Sequence, residues 1–188
     1  LHRDRDGALW IGTVGGGLGR LLAGHFTSLD KRHGLSNDTV RSFCEDREGN
    51  LWMGTSGGLH RLRSGPFLTY GRHEGLSEDN ARPVFEDREG NLWIGTLGGG
   101  LNRRRADGAF EAFTTRHGLA SDRIWAIHQD PSGSLWVGTR KGLNRRDGDR
   151  WVSYTTKDGL ANDLVLAIGH LVVRGLDLEA HLHQLLDD

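Results

Sequence analysis

The sequence predicts an all-β fold in which four-stranded antiparallel sheets are arranged as β-propeller blades. About four consecutive units are expected, forming a partial or open propeller. First, Leu-Trp-x-Gly-Thr occurs four times, beginning at Leu9, Leu51, Leu92 and Leu135. Second, its tryptophans are 42, 41 and 43 residues apart, a period typical of four-stranded blades. Third, a glycine suited to a hairpin turn stands three residues before each tryptophan. Units of this kind bury their apolar faces by stacking on one another.

The second unit illustrates the predicted blade. Strands are expected over residues 40–45, 51–55, 59–63 and 67–70, separated by turns rich in Gly, Asn, Asp and Ser. The other units keep the same order of turns and apolar segments. The units span about residues 1–33, 34–74, 75–117, 118–158 and the start of a fifth, 159–168.

The repeat ends inside the fifth unit. Its inner strand is expected to reach Ile168, but the tryptophan position is then occupied by Asp177. Residues 169–188 form a non-repeat tail, in which leucines at helical spacing predict a short amphipathic helix over 176–187. An aberrant terminus is the alternative.

Composition excludes several classes of function. The formal net charge is −1 with charges of both signs interspersed, so a nucleic-acid interface is not expected. No run approaches the ~18 apolar residues of a membrane span, and this segment is expected to make no membrane contact. The single Cys44 excludes an internal disulfide framework. The chain begins at Leu1 without an apolar signal core, so any export signal is expected upstream.

Three residue series are expected to be structural. The repeated tryptophans (Trp10, Trp52, Trp93 and Trp136) are predicted to pack between blades, each contributing on the order of 5 kcal/mol by burying ~200 Å². The glycines two residues later (Gly12, Gly54, Gly95 and Gly138) are expected to permit close approach of the next blade. An aspartate opens each inner strand (Asp38, Asp79, Asp122 and Asp163). These carboxylates are expected to accept turn N–H groups, the alternative being a ligand-binding rim.

Positions at which the copies differ are the better ligand-binding candidates. Three residues beyond those aspartates lie Arg41, Arg82, Trp125 and Leu166, on inner strands near the predicted channel. Two arginines and a tryptophan suit a carboxylate, a phosphate or a sugar face. Arg140 and Lys141 vary similarly in a connecting loop. A solvated surface is the alternative for all of them.

No metal site, cofactor or catalytic group is predicted. His33, His73 and His117 recur before Gly-Leu, with Asp158 in the fourth place, but one side chain per blade is too widely spaced to bind one metal ion. The pair His181 and His183 is too weak a signal. The glycine run 15–19 lacks the Lys-Ser/Thr of a phosphate-binding loop.

The segment Glu86-Asp87-Arg88-Glu89-Gly90-Asn91-Leu92-Trp93-Ile94-Gly95-Thr96 resembles the two-component regulator propeller repeat. The resemblance continues through Gly98-Gly99-Gly100-Leu101-Asn102-Arg103 and from Phe113 to Leu119, and it covers about residues 1–168. It implies the periplasmic or extracytoplasmic sensor region of a bacterial receptor. The parent receptor would carry a histidine kinase or diguanylate cyclase elsewhere. The chain has fewer repeats than a closed ring pair would use.

These observations lead to three hypotheses. The first is a non-catalytic module that recognises a small molecule, with carbohydrates among the candidates, at the channel mouth. The second is an interaction scaffold that docks a partner protein or other copies of itself through blade faces. The third is a propeller enzyme similar to streptogramin lyases, which would require His and carboxylate groups converging on the channel.

Overall fold

Four four-stranded antiparallel sheets make up the computed structural model, which describes residues 1–63, 65–105, 107–148 and 150–169. The first sheet contains β1 (His2–Arg3), β2 (Leu9–Gly12), β3 (Leu18–Leu22) and β4 (His25–Leu29). The second contains β5 (Val40–Glu45), β6 (Leu51–Thr55), β7 (Gly58–Leu62) and β8 (Leu68–Tyr70). The third contains β9 (Ala81–Glu86), β10 (Leu92–Thr96), β11 (Leu101–Arg104) and β12 (Phe110–Phe113). The fourth contains β13 (Ile124–Gln129), β14 (Leu135–Thr139), β15 (Gly142–Asp147) and β16 (Arg150–Tyr154).

Strands pair in chain order within every sheet, so each sheet is a meander of hairpins. The predicted all-β blade architecture is therefore confirmed. Successive sheets pack on one another along the chain, and within the described residues they do not close into a ring. In the second sheet, β5 and β6 begin and end as predicted, whereas β7 begins one residue earlier because Gly58 pairs with Thr55. The helix predicted over 176–187 lies outside the described residues.

The hydrophobic core lies between the sheets. One buried cluster joins the first and second sheets, another the second and third, and a third cluster the third and fourth. Strands β6 and β10 are buried at every residue, because both faces of a middle strand pack on neighbours. Trp52 and Trp93 are buried in two of these clusters.

Glycine after the tryptophan permits the close approach of successive sheets, as expected. A Cβ on Gly54 would lie 2.5 Å from the carbonyl oxygen of Arg82, and one on Gly95 would lie 2.6 Å from Cγ2 of Ile124. The equivalent positions Gly12 and Gly138 would meet the next inner segment at 2.6 Å and 2.8 Å. These distances are shorter than any ordinary van der Waals contact, so a side chain at any of the four positions would push two sheets apart.

Short 3-10 turns connect one sheet to the next, at Lys31–His33, Arg72–Glu74, Thr115–His117 and Thr156–Asp158. Each turn ends at a glycine with φ near +100° (Gly34, Gly75, Gly118 and Gly159). That left-handed conformation is readily available to glycine, which accounts for the repeated Gly-Leu of the sequence.

Among the described residues, no helix has the length and hydrophobicity that a membrane span requires.

An arginine in each of the first three sheets binds the following sheet, and we call this contact the arginine clasp. It comprises Arg5, Arg47 and Arg88, each next to a turn aspartate. Their backbone N–H groups donate to Glu45, Glu86 and Gln129 over 3.0, 3.1 and 2.9 Å. Their guanidinium groups donate to backbone carbonyls of the next turn, including those of Asp46, Arg88 and Pro131. In the fourth sheet the clasp position is Pro131, which has no N–H and no cationic side chain.

The start of the fifth unit differs from the prediction. The inner strand of the fifth unit was expected to reach Ile168, but no strand is present over residues 164–168. The segment does lie against the fourth sheet, since the Val165 N–H donates to the Thr139 carbonyl over 3.0 Å. The same bond joins Val40 to Thr13 between the first two sheets, at 2.9 Å. A strand also needs a ladder to a neighbouring strand, and the described residues contain no such neighbour for this segment.

Candidate functional site

The inner strands of the second, third and fourth sheets form a cavity of about 430 Å³. It is lined by Val14, Val40, Arg41, Ser42, Arg82, Pro83 and Trp125. Three of the five predicted ligand-binding residues are thereby brought together, namely Arg41, Arg82 and Trp125. Each lies at an equivalent point of its inner strand, next to the residue that packs against the preceding sheet, and therefore faces the same opening.

Arg82 and Trp125 are in direct contact across two sheets. The guanidinium carbon of Arg82 lies 4.5 Å from the Trp125 ring centroid, within the range of a cation–π interaction. The Nε of Arg82 and the Nε1 of Trp125 are buried, and neither has a hydrogen-bond partner in the described part of the chain. The pair is therefore packed but retains unused hydrogen-bond donors.

The cavity is electropositive. Burial lowers the pKa of Arg82, and the neighbouring guanidinium of Arg41 lowers it further, while Glu78 opposes both effects. Arg41 is exposed and donates from Nε to the Ser56 hydroxyl over 3.3 Å. An arginine remains protonated despite such shifts. Two positive charges therefore face one opening.

Arg140 and Lys141 do not line this cavity. They occupy the turn between β14 and β15 and are exposed. Their backbone N–H groups donate to the Arg123 carbonyl over 3.1 Å and to the Thr139 hydroxyl over 3.1 Å. Leu166, at the position equivalent to Arg41, is 60% exposed outside any strand.

The repeated aspartates hold the 3-10 turns. Oδ1 of each accepts the N–H of the first turn residue, at 2.8 Å for Asp38 and Asp79 and 2.6 Å for Asp122 and Asp163. Because these carboxylate oxygens are already bonded to the backbone, this geometry is that of a turn rather than of an open ligand rim.

The histidine series has a different membership from the one read in the sequence. The third residue of each 3-10 turn accepts the N–H of the residue before the turn, and these residues are His33, Glu74, His117 and Asp158. His73 is therefore not equivalent to His33, because Glu74 occupies that position. Imidazole and carboxylate act here as hydrogen-bond acceptors for the backbone. No group of three or more metal-binding side chains occurs among residues with a described structure.

Sequence reasoning did not identify four further contributors to the cavity: Val14, Val40, Ser42 and Pro83. The Ser42 hydroxyl donates a short hydrogen bond to the Arg82 carbonyl, so it fixes the backbone that carries Arg82. The available signal was variation between the copies, since Ser42 and Pro83 are matched by Ala126 in the fourth unit.

A buried histidine was also missed. His60 is completely buried, and its Nε2 lies 2.8 Å from the Ser36 hydroxyl and its Nδ1 3.1 Å from that of Thr69. Asn102 occupies the equivalent position in the third sheet and contacts the Ser77 hydroxyl over 2.8 Å. His60 therefore takes over a structural role that asparagine has elsewhere. Burial lowers its pKa to about 4.

Four stacked meanders with inner strands around a shared cavity define a β-propeller repeat protein. The sequence model described as the two component regulator propeller matches residues 34–57, 75–98 and 118–141. Three of the four units thus match the two-component regulator propeller repeat. No curated protein matches its sequence.

Solved structures agree with this assignment. The extracellular domain of BT3049 from B. thetaiotaomicron, named as a hybrid two-component system, is 28% identical with a TM-score of 0.76 over 86% of this chain. The corresponding domain of BT4673 from the same organism is 26% identical with a TM-score of 0.69, also over 86% of this chain. The present chain spans 23% of the length of each. Virginiamycin B lyase from Staphylococcus aureus shares the fold, with a TM-score of 0.65 at 14% identity over 82% of this chain and 54% of the lyase.

Proposed function

We propose that this chain is a non-catalytic recognition module of an extracytoplasmic sensor and that it binds a small molecule in the cavity formed by Arg41, Arg82 and Trp125. The observation that carries the proposal is the convergence of these residues on one opening. All three stand at a repeat position where the copies differ. Residues that maintain a symmetric fold recur from blade to blade, whereas a ligand needs a specific, asymmetric set of contacts.

The two similar extracellular domains support the sensor context, since both are named as parts of two-component systems. A non-catalytic role is supported by the composition of the cavity. Among the described residues, its lining contains two arginines, a serine and a tryptophan, but no histidine or carboxylate. General acid–base chemistry at neutral pH usually relies on those missing groups.

A ligand-observed NMR screen of a fragment library containing acids, neutral sugars and amines would test the proposal. We expect fragments that bind the wild-type chain and lose binding in Arg82→Ala and Trp125→Ala. The matched control is Arg123→Ala, which removes an exposed arginine from a neighbouring loop outside the cavity. Circular dichroism melts of all variants would establish that they fold. Binding that survives both cavity substitutions in folded protein would contradict the proposal.

Docking through a blade face is the second candidate function. Two tryptophans are each covered by one arginine of their own sheet and one of the next sheet. Arg61 and Arg104 lie over Trp52. Arg103 and Arg146 lie over Trp93. Trp136 is contacted in this way by Arg145 of its own sheet, and beside it lies a cavity of about 280 Å³. Sedimentation velocity across a concentration series would test self-association. A concentration-independent monomer that also fails to bind a hydrophobic dye would count against this second function.

A further inference from the structure

We propose that the cavity binds an anionic small molecule, with a carboxylate or phosphate group held between the guanidinium groups of Arg41 and Arg82. This inference rests on the recognition function proposed above and adds the chemical class of the ligand. It is carried by three features of the cavity: cationic groups that form no ion pair within the described residues, a guanidinium held against an aromatic ring, and an apolar wall.

The first feature is the positive charge of Arg41 and Arg82, which no ion pair among the described residues neutralises. Within the described residues, neither Arg41 nor Arg82 takes part in an ion pair. Other arginines do: Arg103, for example, lies 2.5 Å from the carboxylate of Glu111. Glu78 exerts an electrostatic effect on Arg82, but its two carboxylate oxygens accept the Asn80 and Leu97 N–H groups, each over 3.1 Å. The repulsion between the two arginines would be relieved by an anion placed between them.

The second feature is the orientation of Arg82. A guanidinium that lies over an indole ring uses its flat face for that contact and keeps its N–H donors in its own plane. One of those donors, Nε, is buried and has no partner in the structurally described chain. Trp125 therefore acts as a positioning residue that holds the donor edge of Arg82 in place. A planar fork of donors is suited to two parallel hydrogen bonds with a carboxylate or phosphate.

The third feature is the apolar surface beside the charges. Val14, Val40 and Pro83 line the same cavity. Apolar walls reduce the effective dielectric constant, so a hydrogen bond between guanidinium and oxyanion is stronger here than on an open surface. A volume of about 430 Å³ suits a small molecule. The charge balance of −1 over the whole chain offers no extended basic surface for a polymer.

Titration of the ¹⁵N-labelled chain with inorganic phosphate and with glutarate, against chloride at matched ionic strength, would test the inference. The indole N–H signal of Trp125 would be assigned by its loss in Trp125→Phe, and the Nε–H signal of Arg82 by its loss in Arg82→Gln. We expect both signals to shift and saturate with phosphate or glutarate but not with chloride. The indole signals of the other tryptophans should stay in place.

The second part of the test removes one positive charge of the cavity at a time. Arg41→Gln and Arg82→Gln should each weaken binding of phosphate and glutarate about 10-fold or more, because each loses a charge-assisted hydrogen bond. Arg123→Gln, which removes the same charge outside the cavity, should change the affinity less than 2-fold, a limit set by solvent screening. Equal weakening by all three substitutions would show nonspecific attraction and overturn the inference.

The measurements distinguish a wrong ligand class from a wrong binding site. If methyl glucoside or another neutral compound shifts the Trp125 signal while the anions do not, the cavity recognises ligands but the anionic class is wrong. If neither anions nor the fragment library affect Trp125 and Arg82 in folded protein, the recognition site itself is wrong. Preserved indole signals of the remaining tryptophans would verify folding in each variant.

Discussion

The indole N–H of Trp52 donates to Oδ2 of Asp46 over 2.7 Å. Oδ1 of the same carboxylate accepts the N–H groups of Glu48 and Asn50 over 3.1 and 2.8 Å. One aspartate thus joins the hairpin turn to the tryptophan of the following strand. The bond recurs in all four sheets, between Asp4 and Trp10, Asp87 and Trp93, and Asp130 and Trp136, at 2.7–2.8 Å. The turn and the interface between sheets are therefore formed together.

Replacing Asp46 by alanine should lower the free energy of unfolding by about 2–4 kcal/mol, because it leaves buried donors unsatisfied. Urea unfolding followed by tryptophan fluorescence measures this change. The control is Asp107→Ala, which removes an exposed aspartate whose carboxylate accepts one turn N–H, at an expected cost of about 0.5–1 kcal/mol. Similar losses for both variants would mean that the indole bond adds nothing.

The arginine clasp makes a separate contribution to stability. Arg47→Ala should cost about 1–2 kcal/mol, since its guanidinium bonds to the carbonyls of Asp87 and Arg88 are lost. Glu86→Ala should cost a similar amount, because Glu86 accepts the Arg47 N–H. A double-mutant cycle in urea tests whether both act on one junction, which predicts a coupling energy of about 0.5 kcal/mol or more. Strict additivity of the two losses would argue against a shared clasp.

Steric closeness predicts the effect of adding one methyl group to a glycine. Gly54→Ala should lower the thermal midpoint by roughly 5 °C or more, because the new Cβ would overlap the Arg82 carbonyl and the Ser42 hydroxyl. Gly98→Ala is the matched control, since no heavy atom lies within 4 Å of the position where its Cβ would be. Calorimetric melts that show equal midpoints for the two variants would contradict the tight contact between sheets.

His60 should make the protein sensitive to mild acid. Its pKa in the folded protein is lowered to about 4 from an ordinary value of 6.5, because burial disfavours the charged imidazole. The unfolded chain therefore takes up a proton first as the pH falls. The stability associated with neutral His60 is fully present above pH 6.5 and decreases as the pH falls toward 4, by about 3 kcal/mol in total.

His60→Asn reproduces the residue found at the equivalent Asn102 and should remove most of that loss. The measurement is the free energy of unfolding at a series of pH values from 7 to 4 for both proteins. His25→Asn provides the control, because His25 is exposed at the edge of the first sheet. A wild-type slope that persists in His60→Asn would assign the acid sensitivity to other groups.

The repeat determined most of what could be predicted about the fold. A tryptophan every 41–43 residues locates β2, β6, β10 and β14 directly, and the glycine three residues earlier locates the preceding turns. The start of β7 was predicted one residue too late, at residue 59 instead of Gly58. A glycine can be the first residue of a hydrogen-bonded strand without any sequence pattern that marks it. The inner strand of the fifth unit was not found, since a strand forms only when a neighbour completes its hydrogen bonds.

Three of the predicted ligand-binding residues differ between copies at one repeat position, and the structure brings them together in one cavity. Arg41, Arg82 and Trp125 lie close together because equivalent positions stand side by side in a propeller; their binding of a ligand stays a prediction. Arg140 and Lys141 also vary, but a variable loop position does not by itself indicate the direction of a side chain. His60 was overlooked because its equivalents are Asn102 and Asn144, and residues that differ in chemistry but share a hydrogen-bonding role have no common sequence pattern.

The arginine clasp does not continue beyond the fourth sheet, because Pro131 occupies the clasp position there. Arg5, Arg47 and Arg88 each attach their own sheet to the following one, whereas Pro131 accepts the bond from Arg88 and offers neither donor onward. In a linear array, thermal opening depends on the coupling between nearest neighbours. Melting should therefore begin where residues 159–169 meet the fourth sheet, the junction that has no clasp, and the three clasped junctions between the sheets should open later. Amide hydrogen exchange would then show a gradient of protection along the chain rather than a single cooperative unit.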